Sequence, residues 1–124
     1  MSDSTKSETP EANTSGVVVF LSCDLMFASR VRGAAENAGL GFKLSGKLPE
    51  EPIGDIRYVV LDLATMSKLS VGLPEQCAAR CPAATIIAYG PHVQVARLDD
   101  AKAAGIETVM TRGQFDRMLP TLFA

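Results

Sequence analysis

The sequence lacks any run approaching the roughly 20 apolar residues of a membrane-spanning helix, and its amino terminus lacks the basic start and apolar stretch of a secretory signal. Those absences point to a soluble, cytoplasmic protein with no membrane role. Paired cysteines are missing too: Cys23, Cys77 and Cys81 make an odd count with no disulfide framework, which suits free thiols in a reducing compartment. With one histidine, His92, there is no basis for a Ser-His-Asp or Cys-His nucleophilic arrangement, and the glycine-rich phosphate fingerprints of nucleotide binders are absent. Net charge is small, −2 overall. Residues 1–16 hold Asp3, Glu8 and Glu11 against Lys6, so this segment accounts for the imbalance and leaves the remainder near neutral. Nothing in that balance recommends nucleic acid or an anionic membrane as partner.

What is present suffices for one domain. A chain of 124 residues builds a single core. Residues 1–16 are rich in Ser, Thr and Glu and nearly free of large apolar side chains, so they are expected to form a disordered arm ahead of a domain at 17–124. Short β-branched runs alternate with helical patterns. Residues 17–21 read as a first strand. A helix follows from an N-cap at Asp24, with Phe27, Val31, Ala34, Ala35 and Ala38 on one face and Gly39 as its stop. A short strand at 42–44 precedes a segment, 46–57, in which Pro49, Pro52 and Gly54 leave little room for a helix. Further strands are expected at 58–63, 85–89 and 108–111. Helices are expected at 73–80, stopped by Pro82, at 93–104 with Val95, Leu98 and Ala101 inward, and at 114–119, meeting Pro120. The alternation predicts an α/β fold with a doubly wound five-stranded parallel sheet and a shortened or missing second helix.

One carboxylate stands out. Asp62 ends the apolar run Tyr58-Val59-Val60-Leu61, where a buried parallel strand would stop and a loop begin. Open α/β sheets place their chemistry at the carboxyl ends of the strands, which makes Asp62 a candidate for phosphoryl acceptance or metal binding. The plainer alternative is a solvated acid that ends a strand and caps the next turn. Two other candidates concern thiols. Cys77 and Cys81, four apart on one helix face, have the spacing of half a metal site that His92 would have to help complete, or else are small side chains facing a core. Cys23, beside a helix N-terminus, is a candidate redox thiol.

The strings VVFLSCDLMFASRVRGAAENAGL, YVVLDLATM, TIIAYGPH and AKAAGIETVMTRG together resemble the receiver domain of two-component response regulators, over nearly everything after residue 16. The resemblance implies a flavodoxin-like fold with its reactive site above the strand ends. It also implies a Mg²⁺-holding acid pair after the first strand, a phosphoacceptor aspartate after the third, a hydroxyl residue after the fourth and a lysine after the fifth. Asp62 falls at the phosphoacceptor position. Ser22 and Cys23 fall at the acid pair, Gly90 at the hydroxyl and Arg112 at the lysine, followed by Gly113 where proline is usual. Val109 stands where the family commonly has a switching aromatic.

These departures have chemical content. Mg²⁺ prefers oxygen ligands and carboxylates, and Ser22 and Cys23 bring no negative charge at neutral pH. Asp62 and the neighbouring Asp24 are the candidate metal ligands, Asp24 competing with its own role as N-cap. Arg112 keeps a positive charge and is the candidate phosphate-binding residue, with a salt bridge to Asp62 as the alternative. The expectation is a stand-alone, atypical receiver-like domain: not an enzyme, but a module of bacterial two-component signalling that binds another signalling protein, a histidine kinase or a downstream effector, through its last helix, strand and helix, with little or no phosphorylation. The rival expectation is a working phosphoacceptor in a phosphorelay, with Asp62 as acceptor, Arg112 as cation and Asp24 as substitute ligand.

Overall fold

The computed structural model describes residues 16–50 and 55–124, so the expected arm at 1–16 lies almost wholly outside the described residues. In chain order the elements are β1 (Val17–Leu21), α1 (Leu25–Asn37), β2 (Gly41–Ser45), β3 (Ile56–Asp62), α2 (Leu63–Met66), a 3₁₀ turn (Ser67–Ser70), α3 (Leu73–Arg80), β4 (Thr85–Gly90), α4 (Val95–Ala103), β5 (Thr108–Thr111) and α5 (Arg112–Leu122). All strand pairs are parallel, in the order β2-β1-β3-β4-β5. This is the flavodoxin-type order, in which the chain reverses direction across the sheet between β1 and β3. Among the described residues between β2 and β3 there is no helix, as Pro49 and its neighbours suggested.

The period of two along each strand divides the core into two layers. Val18, Phe20, Val60, Ile87 and Tyr89 face α1 and α5, where they meet Phe27, Val31, Ala35, Phe115, Leu119 and Phe123. Val19, Leu21, Val59, Leu61 and Ala88 face the opposite side and meet Leu63, Leu73, Cys77, Ala101 and Ile106. Burial on both faces explains why the strands read as continuous apolar runs. The first layer is aromatic at its centre, with Tyr89 stacked on Phe115 at a ring separation of 4.3 Å and Phe27 tilted against both.

Three expectations need correction. Helix α5 does not stop before Pro120 but runs from Arg112 to Leu122 with Pro120 inside it. The proline removes one backbone bond and its ring crowds the carbonyl of residue 116, a cost of about 3 kcal/mol in a helix interior. Continuing the helix completes the 115, 119, 123 stripe, burying Phe123 to 5% exposure and packing Leu122 against the same core, which together contribute about 3 kcal/mol. Val95 is 57% exposed rather than inward, because α4 begins at that residue and only its Leu98 and Ala101 turn toward the sheet. The third strand starts at Ile56 and ends at Asp62, and Leu63 opens α2, a four-residue helix that the apolar run concealed.

Candidate functional site

Strand register brings the sequence candidates together. Residues 22, 62 and 89 continue the same parity as Phe20, Val60 and Ile87, so Ser22, Asp62 and Tyr89 emerge side by side on the α1/α5 face at the carboxyl end of the sheet, and Asp62 pairs with Tyr89 across β3 and β4. β1 and β3 flank the point where the sheet's winding reverses, the usual crevice of such folds.

Asp62 is 1% exposed and its carboxylate is closed on three sides. The Ser22 hydroxyl donates to Oδ2 at 2.7 Å and the Thr65 hydroxyl donates to the same oxygen at 2.9 Å. The Ala64 N–H donates to Oδ1 at 3.0 Å, so Asp62 is the N-cap of α2. Capping was one of the sequence readings, but the acid is buried rather than solvated. Hydrogen bonds to an ionised oxygen are worth about 1.5–3 kcal/mol each, so this set holds Asp62 firmly as an acceptor of local donors. The two hydroxyls extend the network, Ser22 Oγ accepting from the Asp24 N–H at 2.9 Å and Thr65 Oγ1 from the Cys23 N–H at 3.1 Å. The loop after β1 and the turn after β3 are thereby stitched through side-chain oxygens.

Asp24 takes the N-cap role expected of it. Its Oδ1 accepts from the Phe27 N–H at 3.0 Å and its Oδ2 lies 3.5 Å from Arg112 Nη1. Arg112 therefore pairs with Asp24, not Asp62, and its guanidinium lies 4.2 Å above the Phe27 ring. The reason is steric: Asp62 already carries three donors and is enclosed, whereas Asp24 stands half-buried at the rim. The arginine remains 46% exposed at its side chain, so an anion arriving from solvent would still meet it.

Magnesium fits this donor set poorly. Of the oxygens assembled here, the Ser22 hydroxyl is committed to Asp62 and Asp24, both Asp62 oxygens carry donors, and Asp24 serves α1 and Arg112. Among the described residues no three His, Cys, Asp or Glu side chains cluster so as to hold a metal ion, the pair Cys77 and Cys81 with His92 included. Cys77 and Cys81 are buried free thiols, and burial, with Cys81 alongside, pushes the Cys77 thiol up to about 12. Cys23 is exposed at the mouth of the crevice.

Two features escaped the sequence reading. Thr65, three residues after the N-cap Asp62, is the second hydroxyl on that carboxylate; its signal was the Asp-x-x-Thr spacing at a strand end. Tyr89 carries a buried hydroxyl with no hydrogen-bond partner, and its phenol is pushed well above its ordinary range by burial and then by the Asp62 charge, with Arg112 working the other way and Asp24 adding to the rise. Gly90, at the position where the resemblance implies a hydroxyl, has opposite parity and faces α4. A Cβ there would lie 3.2 Å from Leu63 Cβ and 3.6 Å from Leu98 Cδ2.

A doubly wound parallel sheet with a polar network at the β1/β3 reversal defines the class of architecture. The particular fold is that of receiver domains. The chain is similar to a response regulator from Thermotoga maritima, with TM-score 0.58 and 11% identity, covering 86% of this chain and 98% of that one. It is similar to a response regulator protein from Burkholderia pseudomallei that carries a phosphorylated aspartic acid, a calcium ion and citrate, with TM-score 0.63 and 14% identity over 87% of this chain and 68% of the other. It is also similar to the beryllofluoride-activated NtrC4 receiver domain dimer, with TM-score 0.61 and 16% identity over 86% of this chain and 95% of that one. No family model and no curated protein matches the sequence. Among the described residues no helix is long and apolar enough to cross a membrane.

Proposed function

We propose that the protein is a receiver-like interaction module of two-component-type signalling that has exchanged phosphoryl chemistry for a fixed hydrogen-bond network. The observation that carries this reading is the state of Asp62, an acid at the acceptor position whose two oxygens hold Ser22, Thr65 and the Ala64 N–H. Phosphoryl transfer depends on neutralising the incoming charge and on an accessible oxygen nucleophile. Ser22 and Cys23 bring no carboxylate to that task, Gly90 brings no hydroxyl, and Arg112 is turned to Asp24. The docking surface in this reading is formed by α4, β5 and α5, where Val109, Met110, Gln114, Arg117 and the 45% exposed Met118 line a shallow depression of about 350 Å³. Its occupant is another signalling protein, a histidine kinase or a downstream effector.

The rival, a phosphoacceptor using Asp62 with Asp24 and Arg112 as helpers, makes an opposite forecast for a single titration. Amide resonances near Asp62, Gly90 and Arg112 are followed as Mg²⁺ and then beryllofluoride are added. The interaction-module reading expects no saturable shifts at millimolar metal; saturable shifts centred on Asp62 would establish the acceptor instead.

A further inference from the structure

The peptide unit between Leu63 and Ala64 is gripped at both ends. Its N–H donates to Asp62 Oδ1 at 3.0 Å, and its carbonyl, Leu63 O, accepts from Arg97 Nη1 at 3.2 Å. The same nitrogen lies 3.0 Å from Ala64 O and 3.3 Å from Gln94 Oε1. Leu63 and Ala64 are the first two residues of α2, and Arg97 adds a charged donor to both of their carbonyls. Arg97 belongs to the first turn of α4, so one side chain ties that helix to the backbone directly behind the buried acid.

An apolar contact runs parallel to the polar one. Leu63 is fully buried, and its side chain and Leu98 of α4 occupy the space beside Gly90 that a β-carbon there would enter. Elsewhere α4 is lightly held. Ala101 is its single fully buried residue, and a cleft of about 590 Å³ separates its outer part from the segment 67–72. An element with so few buried contacts shifts at low cost, and the ties at its N-terminus decide where it sits.

We propose that Arg97 is a positioning residue that couples the hydrogen-bond state of Asp62 to the placement of α4. A change in what Asp62 accepts moves the 63–64 peptide, and Arg97 carries that movement into α4. The proposal deepens the reading above, resting on it only in counting α4 as part of the docking face. Because the coupling is measured on the free protein, failure to find a partner and failure of the coupling are separate results.

The test follows amide shifts in the full-length protein when the site is perturbed by Asp62→Asn, with Ser22→Ala as a second, milder perturbation. Each is made in the parent, in Arg97→Ala and in Arg97→Lys. In the parent, shifts are expected at residues 63–65 and again at 95–103. In Arg97→Ala the local shifts at 63–65 persist while those at 95–103 fall to less than half, and Arg97→Lys restores part of the response by returning a single ammonium donor. Responses in α4 of equal size with and without Arg97, or none in the parent, would overturn the proposal. A merely structural role for Arg97 would lower stability but leave the relative α4 response unchanged.

Discussion

Ser22 and Thr65 donate to one oxygen of Asp62, while Tyr89, paired with Asp62 across β3 and β4, has a buried hydroxyl without a partner. An unmet buried hydroxyl costs about 1–3 kcal/mol, while the ring itself is well placed against Phe115 and Phe27. Tyr89→Phe keeps the ring and deletes the orphan. Its denaturation midpoint at neutral pH is expected to equal or exceed the parent's, by up to about 1 kcal/mol. The sign of the alkaline dependence follows from the raised phenol. The folded tyrosine keeps its proton where the unfolded one, titrating near 10, has lost it. The parent's stability is therefore intact below that pH and declines above it. The variant declines less steeply above pH 10 in denaturant titrations across that range. A loss of more than 1 kcal/mol in Tyr89→Phe at neutral pH would mean that the hydroxyl has a partner after all.

Among the elements, α2 and α4 meet over Gly90, and this contact explains the glycine better than any freedom of its backbone. A threonine there would set its Cβ 3.2 Å from Leu63 Cβ, with more bulk beyond. Gly90→Thr is expected to lower stability by about 1–3 kcal/mol, because its close neighbour is the Leu63 Cβ itself, an atom that no shortening of that side chain to alanine would remove. A denaturation midpoint for Gly90→Thr equal to the parent's would show that this contact does not exclude the hydroxyl. The sequence disclosed the periodic parts of this neighbourhood and concealed the rest for identifiable reasons. β5 and α3 were legible to the residue, and the α1 cap at Asp24 was legible because a favoured N-cap precedes an apolar stripe at helical spacing. α2 was not, since Leu61-Asp62-Leu63 continues an apolar run and four residues carry no period. The extent of α5 was misread at Pro120, where burial of Leu122 and Phe123 offsets the cost of the proline. The sequence offered Arg112 an anion or Asp62, and its pairing with Asp24, near the same strand ends, was not foreseen. Only the enclosure of Asp62 decides for Asp24.

At the scale of the whole molecule, the fold places a receiver-type crevice at the β1/β3 reversal and then fills it from within. The parallel sheet, its winding and its two apolar layers are kept, while the polar groups at the strand ends bond one another. That combination accords with a chain that resembles solved receiver domains in fold and that, in the function proposed above, keeps its acid at Asp62 for a structural use. The account's central claim is that Asp62 serves as a structural acceptor of hydrogen bonds and does not take a phosphoryl group. The direct measurement is the intact mass of the protein after incubation with excess small-molecule phosphodonor and Mg²⁺, quenched rapidly, with a phosphorylating receiver treated in parallel. The account predicts an unshifted mass for this chain. A Mg²⁺-dependent phosphoryl adduct approaching one per chain and mapping to Asp62 would contradict it.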